Sequence, residues 1–390
     1  MAPATDLPLG NLEALRHALH QHPETAHTEA QSAQRIAAFL AQYPPDELLT
    51  GIGGHGLLAT YRGAAPGPEV LIRADFDALP IEEANPELPY RSVHPGRAHL
   101  CGHDGHTTIV CAVASHLARR RPARGTVRLL YQPAEEVGEG AQRMLDAPRL
   151  SALAPDWAFA LHNLPGRPRH EISCRAGTFA AASVGLEARL TGHTSHAAFP
   201  DEARAPTATL GHLLLRLPQL AQEVALVHGF ALTTLVGAHL GAEEARYGTT
   251  PGEAWLSATL RSYSDAGLDA LQAATHELLA QSARSAGLLL ATRWIEPFPA
   301  SVNTQAGADA VARVATQLGL TYTPMEEPVR WSEDFGYFLR RAGQGAMFGI
   351  GSGEDHPPLH HPGYDFPDAL IPTGAHLFLG LIDQILGADN

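Results

Sequence analysis

Cysteine is scarce in this chain: Cys101, Cys111 and Cys174 are the only three in 390 residues. Three is odd, and the spacing builds no disulfide framework, so a reducing compartment is expected. Cys101 also lacks a C-x-x-C partner, which leaves a thioredoxin-like redox role unsupported. Long apolar runs are missing; none approaches the roughly 20 residues of a membrane span. The N-terminal stretch MAPATDLPLGNLEALRHALH has no basic segment leading into an apolar core. No secretory leader is expected, and the protein is placed in the cytoplasm. Positive charge is in deficit: 27 Lys and Arg against 41 Asp and Glu leave −14. Nucleic acid and anionic membranes are therefore poor partners. A phosphate-binding glycine loop is absent as well. GIGGHG (51–56) resembles G-x-G-x-x-G only in its glycines, and it precedes a strand-like run instead of following one. No internal repeat and no low-complexity segment is visible.

Apolar residues are abundant, at 45% with 17% charged, the balance of a globular chain. A chain of 390 residues is expected to hold two domains rather than one. Leu12, Leu15 and Leu19 recur on one face of a helix over 9–20, and a second helix follows over 29–42. His17, His20, His22 and His27 read as surface or capping residues. Strand-like runs at 56–63, 69–76, 126–132 and 157–162 alternate with helical ones, notably that marked by Ile109, Val110, Val113 and Leu117. This is the pattern of an α/β sheet covered on both faces. From about 181 to 294 the order becomes strand, helix, strand, strand, helix, strand, which is a ferredoxin-like unit. After Pro297 the α/β texture returns, with helices over 308–318 and over SEDFGYFLRRA (332–342). The fold class is therefore α/β. A split domain with a mostly parallel central sheet (1–178 and 296–390) is interrupted by an inserted ferredoxin-like α+β domain (179–295).

Polar residues gather where the apolar strands end. Asp75 and Asp77 follow one run, Glu135 and Glu136 the next, and His162 closes the third; Asp355, His356, His360 and His361 follow the run at 346–350. In an open α/β sheet, ligands bind at that edge. HLCGHDGHTT (99–108) adds Cys101, His103 and His106. Cys101 and His103 are two apart, so in extended backbone they point to one side. Thiolate, imidazole and carboxylate are the ligands of zinc and its neighbours. Cys101, His103, Glu136, His162 and His360 are the expected ligands. Five exceed the needs of one closed tetrahedral site, which points to two divalent ions with a bridging ligand and positions open to water. Asp77 either caps a turn or accepts the far N–H of His103 and orients it. His106 lies in line with Val110, Val113 and Leu117 and reads as a core or supporting histidine.

Together these stretches carry a resemblance. RADFDALP (73–80), HLCGHDGHT (99–107), YQPAEE (131–136), ALHN (160–163), SEDF (332–335) and LHHPGYDF (359–366) resemble the metal-dependent aminoacylase and carboxypeptidase superfamily. They resemble in particular its branch of hippurate hydrolases, auxin-conjugate hydrolases and N-acetyl-diaminopimelate deacetylases, in order over nearly the whole chain. The resemblance implies a two-metal amidohydrolase cleaving N-acyl amino acids or small peptides, with zinc, manganese, cobalt or nickel. It implies that the inserted domain is a lid and the contact of a homodimer. It implies the same five ligands and makes Glu135 the general base. TSHAAFP (194–200) resembles the family's GHAAxP, with Ser195 where glycine is usual, and implies that His196 reaches the active site of a partner subunit. TLRS (259–262) implies a substrate-binding arginine, Arg261. The chain departs from the family at Gly248, where Asn is usual, so an amide that would help hold the substrate is missing. Two alternatives stand beside this reading. One is the same site acting on a dipeptide, carbamoyl or ester bond. The other is a non-catalytic metal-binding protein, which would have no need of Glu135.

Overall fold

Four parallel strands form the middle of the larger sheet, in the order Arg124–Gln132, Ala65–Asp75, Trp157–Pro165 and Gln344–Gly353. These are the apolar runs read above. Each is buried over its C-terminal half or more, as strands covered on both faces must be. The computed structural model that shows this describes residues 7–242, 244 and 246–387; the start of the N-terminal stretch read as lacking a leader lies outside them. The antiparallel strands Glu47–Ile52 and Gly56–Arg62 extend one edge, and the short strands Ile172–Cys174 and Tyr322–Pro324 the other. Because the central strands are parallel, their C-terminal ends share one edge. Asp75 pairs with Gln132, and His162 with Gly349.

Helix α1 (Leu9–Gln21), helix α2 (Ala30–Gln42) and helix α3 (His103–Leu117) pack together, and α3 also contacts the strand Ala65–Asp75 and the helix Leu370–Leu386. Every residue of α3 except His116 is buried, so it is a central helix rather than an amphipathic surface one. The inward face of α1 holds Leu12, Leu15 and Leu19, and with them Arg16 and His20. His20 is thus not the surface residue expected; it is fully buried. The helix expected over 332–342 shrinks to Gly336–Leu339. Asp334 is committed elsewhere: it accepts from Arg73 Nη2 at 2.9 Å, from Gln132 Nε2 at 2.8 Å and from the Ala141 N–H at 2.9 Å. Among the described residues no helix is long and apolar enough to cross a membrane.

The chain divides into two compact units, Met1–Phe179 with Ser301–Pro328 and Asp334–Asn390, and Ala180–Ala300 with Val329–Glu333. The inserted unit ends five residues beyond the expected 295, because its last strand, Leu289–Phe298, runs past that point. The return of Val329–Glu333 to it has no sequence signal; main-chain bonds from Ala181 to Val329 and Trp331 hold that segment. Within this unit the strands Ala182–Thr191, Ala231–Leu240, Glu253–Ser262 and Leu289–Phe298 are antiparallel, in the spatial order fourth, first, third, second. The helices Thr207–His228 and Asp265–Ser285 complete it. Its core is its own, built on residues such as Leu186, Leu213, Leu256 and Leu271.

Candidate metal centre

Cys101 and His103 are brought together by a turn, not by extended backbone. His103 opens α3, and Gly102 before it has φ 97°. A Cβ at Gly102 would lie 2.4 Å from Asn163 Oδ1 and 2.9 Å from the Tyr364 hydroxyl, so both conformation and space require glycine. The ligand atoms of Cys101, His103 and His162 lie within 4.8 Å of one another, as do those of Cys101, Glu136 and His360, and those of His103, Glu135 and Glu136. The five expected ligands therefore converge, in overlapping groups.

Their partners orient them. His103 Nδ1 donates to the main-chain oxygen of Asp77 at 2.9 Å, with Asp77 Oδ1 at 3.4 Å. Asp77 thus meets His103 chiefly through its backbone, while its Oδ2 accepts the Glu136 N–H at 3.0 Å. His162 Nδ1 donates to the Asn163 main-chain oxygen at 2.9 Å, leaving Nε2 3.5 Å from Cys101 Sγ. This is how metal-binding imidazoles are held in one tautomer. His360 is half exposed; its N–H is fixed by Leu100 O at 2.8 Å, and its Nε2 lies 3.8 Å from Glu136 Oε2. Two buried atoms, His103 Nε2 and Glu136 Oε1, have no hydrogen-bond partner, although they are 3.7 Å apart. A bare buried donor or acceptor is costly, and a bound ion or water would satisfy both.

The charges favour a cation. Burial, eased by His103 and reinforced by Asp77 and Asp75, pushes the Glu136 carboxyl up to about 7. Burial, with Glu136 adding to it, also holds the Cys101 thiol well above its ordinary value. Burial keeps His162 well below its usual range and so neutral. A divalent ion reverses the first two penalties and needs the third. The donor set fits the metals expected from its chemistry.

Both ring nitrogens of His106 have side-chain partners. Its Nδ1 lies 2.7 Å from Asp75 Oδ1 and its Nε2 2.5 Å from Asn163 Oδ1, and Asn163 Nδ2 donates to the Tyr364 hydroxyl at 2.6 Å. Arg73 Nη1 donates to Asp75 at 2.6 Å, which joins this chain to Asp334. Sequence reading missed a second network. The fully buried Arg16 donates to Asp104, Asp365 and Asp368, and His20 Nδ1 lies 2.9 Å from Asp104 Oδ2. Asp104 follows His103 directly, so α1 braces the ligand loop. The signal was available, since Arg16 and His20 fall at i+4 spacing on the face marked by Leu12 and Leu19.

His196, Arg261 and Gly248 belong to the inserted unit. His196 is exposed, and its Nδ1 accepts the Ala198 N–H at 3.1 Å; a neutral ring then carries its proton on Nε2. Ala197 N–H donates to Gly248 O at 3.0 Å, so the departure from the family pattern adjoins His196. A Cβ at Gly248 would meet nothing within 4 Å. Arg261, half-buried, uses Nη1 to donate to Arg330 O at 3.1 Å and Ser332 Oγ at 2.8 Å. Among the described residues it faces no carboxylate within ion-pair distance.

The chain is similar to known proteins over most of its length. Residues 71–384 match the peptidase family M20/M25/M40. The chain is 27% identical to N-acetylcysteine deacetylase of Bacillus subtilis, over 95% of its own length and 96% of the relative's. It is 29% identical to the IAA-amino acid hydrolase ILR1-like 2 of Arabidopsis thaliana, over 95% and 84%. A crystal structure of the Bacillus subtilis YXEP protein, described as a dinuclear metal-binding peptidase of the M20 family, superposes with a TM-score of 0.80 at 26% identity, covering 98% of this chain and 99% of that one.

Proposed function

The chain belongs to the peptidase family M20/M25/M40, and from that premise we propose that it hydrolyses the amide bond of N-acyl amino acids. Cys101, His103, Glu136, His162 and His360 hold two divalent ions, and Glu135 is the general base. The observation that carries this is the convergence of those residues in overlapping groups, together with His103 Nε2 and Glu136 Oε1, two buried atoms without partners. Bound ions of this kind lower the pKa of water towards 7 and polarise a carbonyl. Glu135 is 5% exposed, with Oε2 3.8 Å from His103 Nε2; it takes the water's proton and passes it to the leaving nitrogen. Glu136, engaged as a ligand, is not available for that transfer. The Nε2–H of His196 donates to the carbonyl oxygen as negative charge develops on it. The thiolate favours zinc-like ions, with manganese, cobalt and nickel as the alternatives. Three free, buried cysteines suit a cytoplasmic enzyme.

Arg261 takes the substrate carboxylate. A half-buried guanidinium without an anionic partner attracts one, and its fork matches two carboxylate oxygens. With glycine at 248 in place of the family's Asn, Arg261 carries this contact largely alone. The test uses matched N-acetyl amino acids and their primary amides. Arg261→Ala is expected to raise KM and lower turnover on the acids while barely changing the amides. Equal losses on both would remove Arg261 from carboxylate recognition, and a wild-type enzyme inert towards every N-acyl amino acid would remove the proposed function.

The enzyme acts as a homodimer joined through the inserted unit, which closes over the substrate as a lid. The strand Ala231–Leu240 is an edge of its sheet, and Leu215, Leu226, Val227 and Val236 stand 63–89% exposed on that strand and on the helix Thr207–His228. A free edge beside apolar side chains invites pairing with a second copy, and two-fold dimers are the commonest assemblies. His196 then serves the partner's site. Co-expression of His196→Ala with Glu135→Gln, each nearly inactive alone, decides this. Acting in trans, each mixed dimer has one intact site, and random pairing returns about a quarter of wild-type activity. Verified mixed dimers without activity would show that His196 acts within its own chain.

A further inference from the structure

Glu135 and Glu136 are consecutive, yet Oε2 of the first and Oε1 of the second lie 3.8 and 3.7 Å from the same nitrogen, His103 Nε2. Successive residues of extended backbone point to opposite sides, so the chain has to turn just before them. It turns at Ala134, where φ is 53°. A residue with a Cβ adopts this left-handed conformation at a cost, and it persists only where its surroundings hold it. The holding groups are identifiable. Ala134 O accepts the Gly140 N–H at 3.0 Å, and a Cβ on Gly140 would lie 1.7 Å from Pro133 O, so that approach needs glycine. The Ala134 N–H donates to Glu29 Oε1 at 2.9 Å.

Glu29 is fully buried, and its second oxygen has no hydrogen-bond partner. It stands immediately before α2, where a carboxylate would ordinarily cap the helix. Glu24 does that instead, its Oε2 accepting the Ser32 N–H at 2.7 Å and the Ser32 hydroxyl at 2.9 Å. Glu29 Oε1 accepts the His27 N–H at 2.9 Å as well as that of Ala134. Glu24 O accepts the Ala78 N–H, next to Asp77, at 2.9 Å. The segment 24–29 therefore grips two loops, one carrying Asp77 and the other Glu135 and Glu136.

We propose that Glu29 is a positioning residue, whose Oε1 locks Ala134 in the left-handed turn that aims both Glu135 and Glu136 at one site. Its consequence for catalysis rests on the metal-hydrolase reading above; the geometry does not. Burial pushes the Glu29 carboxyl up to about 7, which makes the neutral amide of Gln a close replacement.

The test combines Mn²⁺ titration by calorimetry with steady-state kinetics of the reconstituted enzyme. Glu29→Ala is expected to weaken Mn²⁺ binding or turnover by about 10–100-fold, the usual effect of removing a group that orients ligands, with KM nearly unchanged. Glu29→Gln keeps an acceptor for Ala134 and stays close to wild type. Ala134→Gly placed in the Glu29→Ala background regains most of the loss, because glycine takes positive φ without being held. Wild-type behaviour of Glu29→Ala, equal damage from Glu29→Gln, or no recovery with glycine would each overturn the proposal. Should Glu29→Ala not fold, Ala134→Val decides: with Glu29 intact it must show the same loss, since a β-branched residue resists positive φ. A wild-type chain that neither binds Mn²⁺ nor hydrolyses a substrate would overturn the metal-hydrolase reading instead. The clamp is then read from amide hydrogen exchange at Ala134, which accelerates in Glu29→Ala and not in Glu29→Gln; unchanged exchange would refute it.

Discussion

Glu135→Gln is expected to keep its metal and lose about 10²–10⁴ in turnover, the worth of a positioned general base. Gln has the shape of Glu but cannot take a proton from water. The donors converging with Cys101, His162 and His360 are left in place, so metal content should match wild type. Glu136→Gln is expected to lose metal as well as activity. Its Oε1 is buried and bare, its Oε2 lies 3.8 Å from His360 Nε2, and its N–H is held by Asp77. Replacing one oxygen of that carboxylate by an amide nitrogen removes a negative ligand from the centre of the cluster. Elemental analysis beside turnover on an N-acetyl amino acid separates the two. An empty site in Glu135→Gln together with a full one in Glu136→Gln would exchange the two roles.

Exhaustive chelation is expected to abolish turnover, and a divalent ion to restore it, with the fold intact throughout. The donors come from four places: the loop before α3, the ends of two central strands and the loop carrying His360. No single one of them makes a site. The fold does not depend on the ion as a small zinc domain does. The strand ends are tied by Arg73 to Asp75 and Asp334, and α1 is tied to the ligand loop by Arg16 and His20. Circular dichroism before and after chelation reports the fold, and elemental analysis the metal. Full activity in verified metal-free protein would sink the proposed mechanism; unfolding on chelation would show that the ion also carries the structure.

The alternation of apolar runs with helical ones announced the central sheet. The polar residues after each run marked the edge where the candidate donors gather, because parallel strands buried on both faces have apolar sequences that give way to polar residues at their ends. The order of the inserted unit was legible for a different reason: antiparallel strands covered on one face alternate in burial, as Ala182–Thr191 and Glu253–Ser262 do. Some features were not legible. Reading His20 as a surface or capping histidine failed because a buried cation is stable once Asp104 and Glu83 answer it. The SEDF motif pointed to a helix, whereas Asp334 spends its side chain on two strands far away in sequence.

The sequence by itself determined which residue types gather at the strand ends, and with them the metal chemistry, since a thiolate, imidazoles and carboxylates are what such ions bind. Only the tertiary structure decided how those residues face one another. The left-handed turn at Ala134 brings together Glu135 and Glu136, which an extended backbone would point to opposite sides, and the one at Gly102 sets Cys101 against a His103 that opens a helix. Glu29 and Gly140 hold the turn at Ala134, and Asn163 and Tyr364 leave room only for glycine at 102, neighbours between 6 and 262 positions away. A backbone conformation paid for by such distant contacts leaves no local pattern in the chain, so it becomes visible only once the contacts have formed.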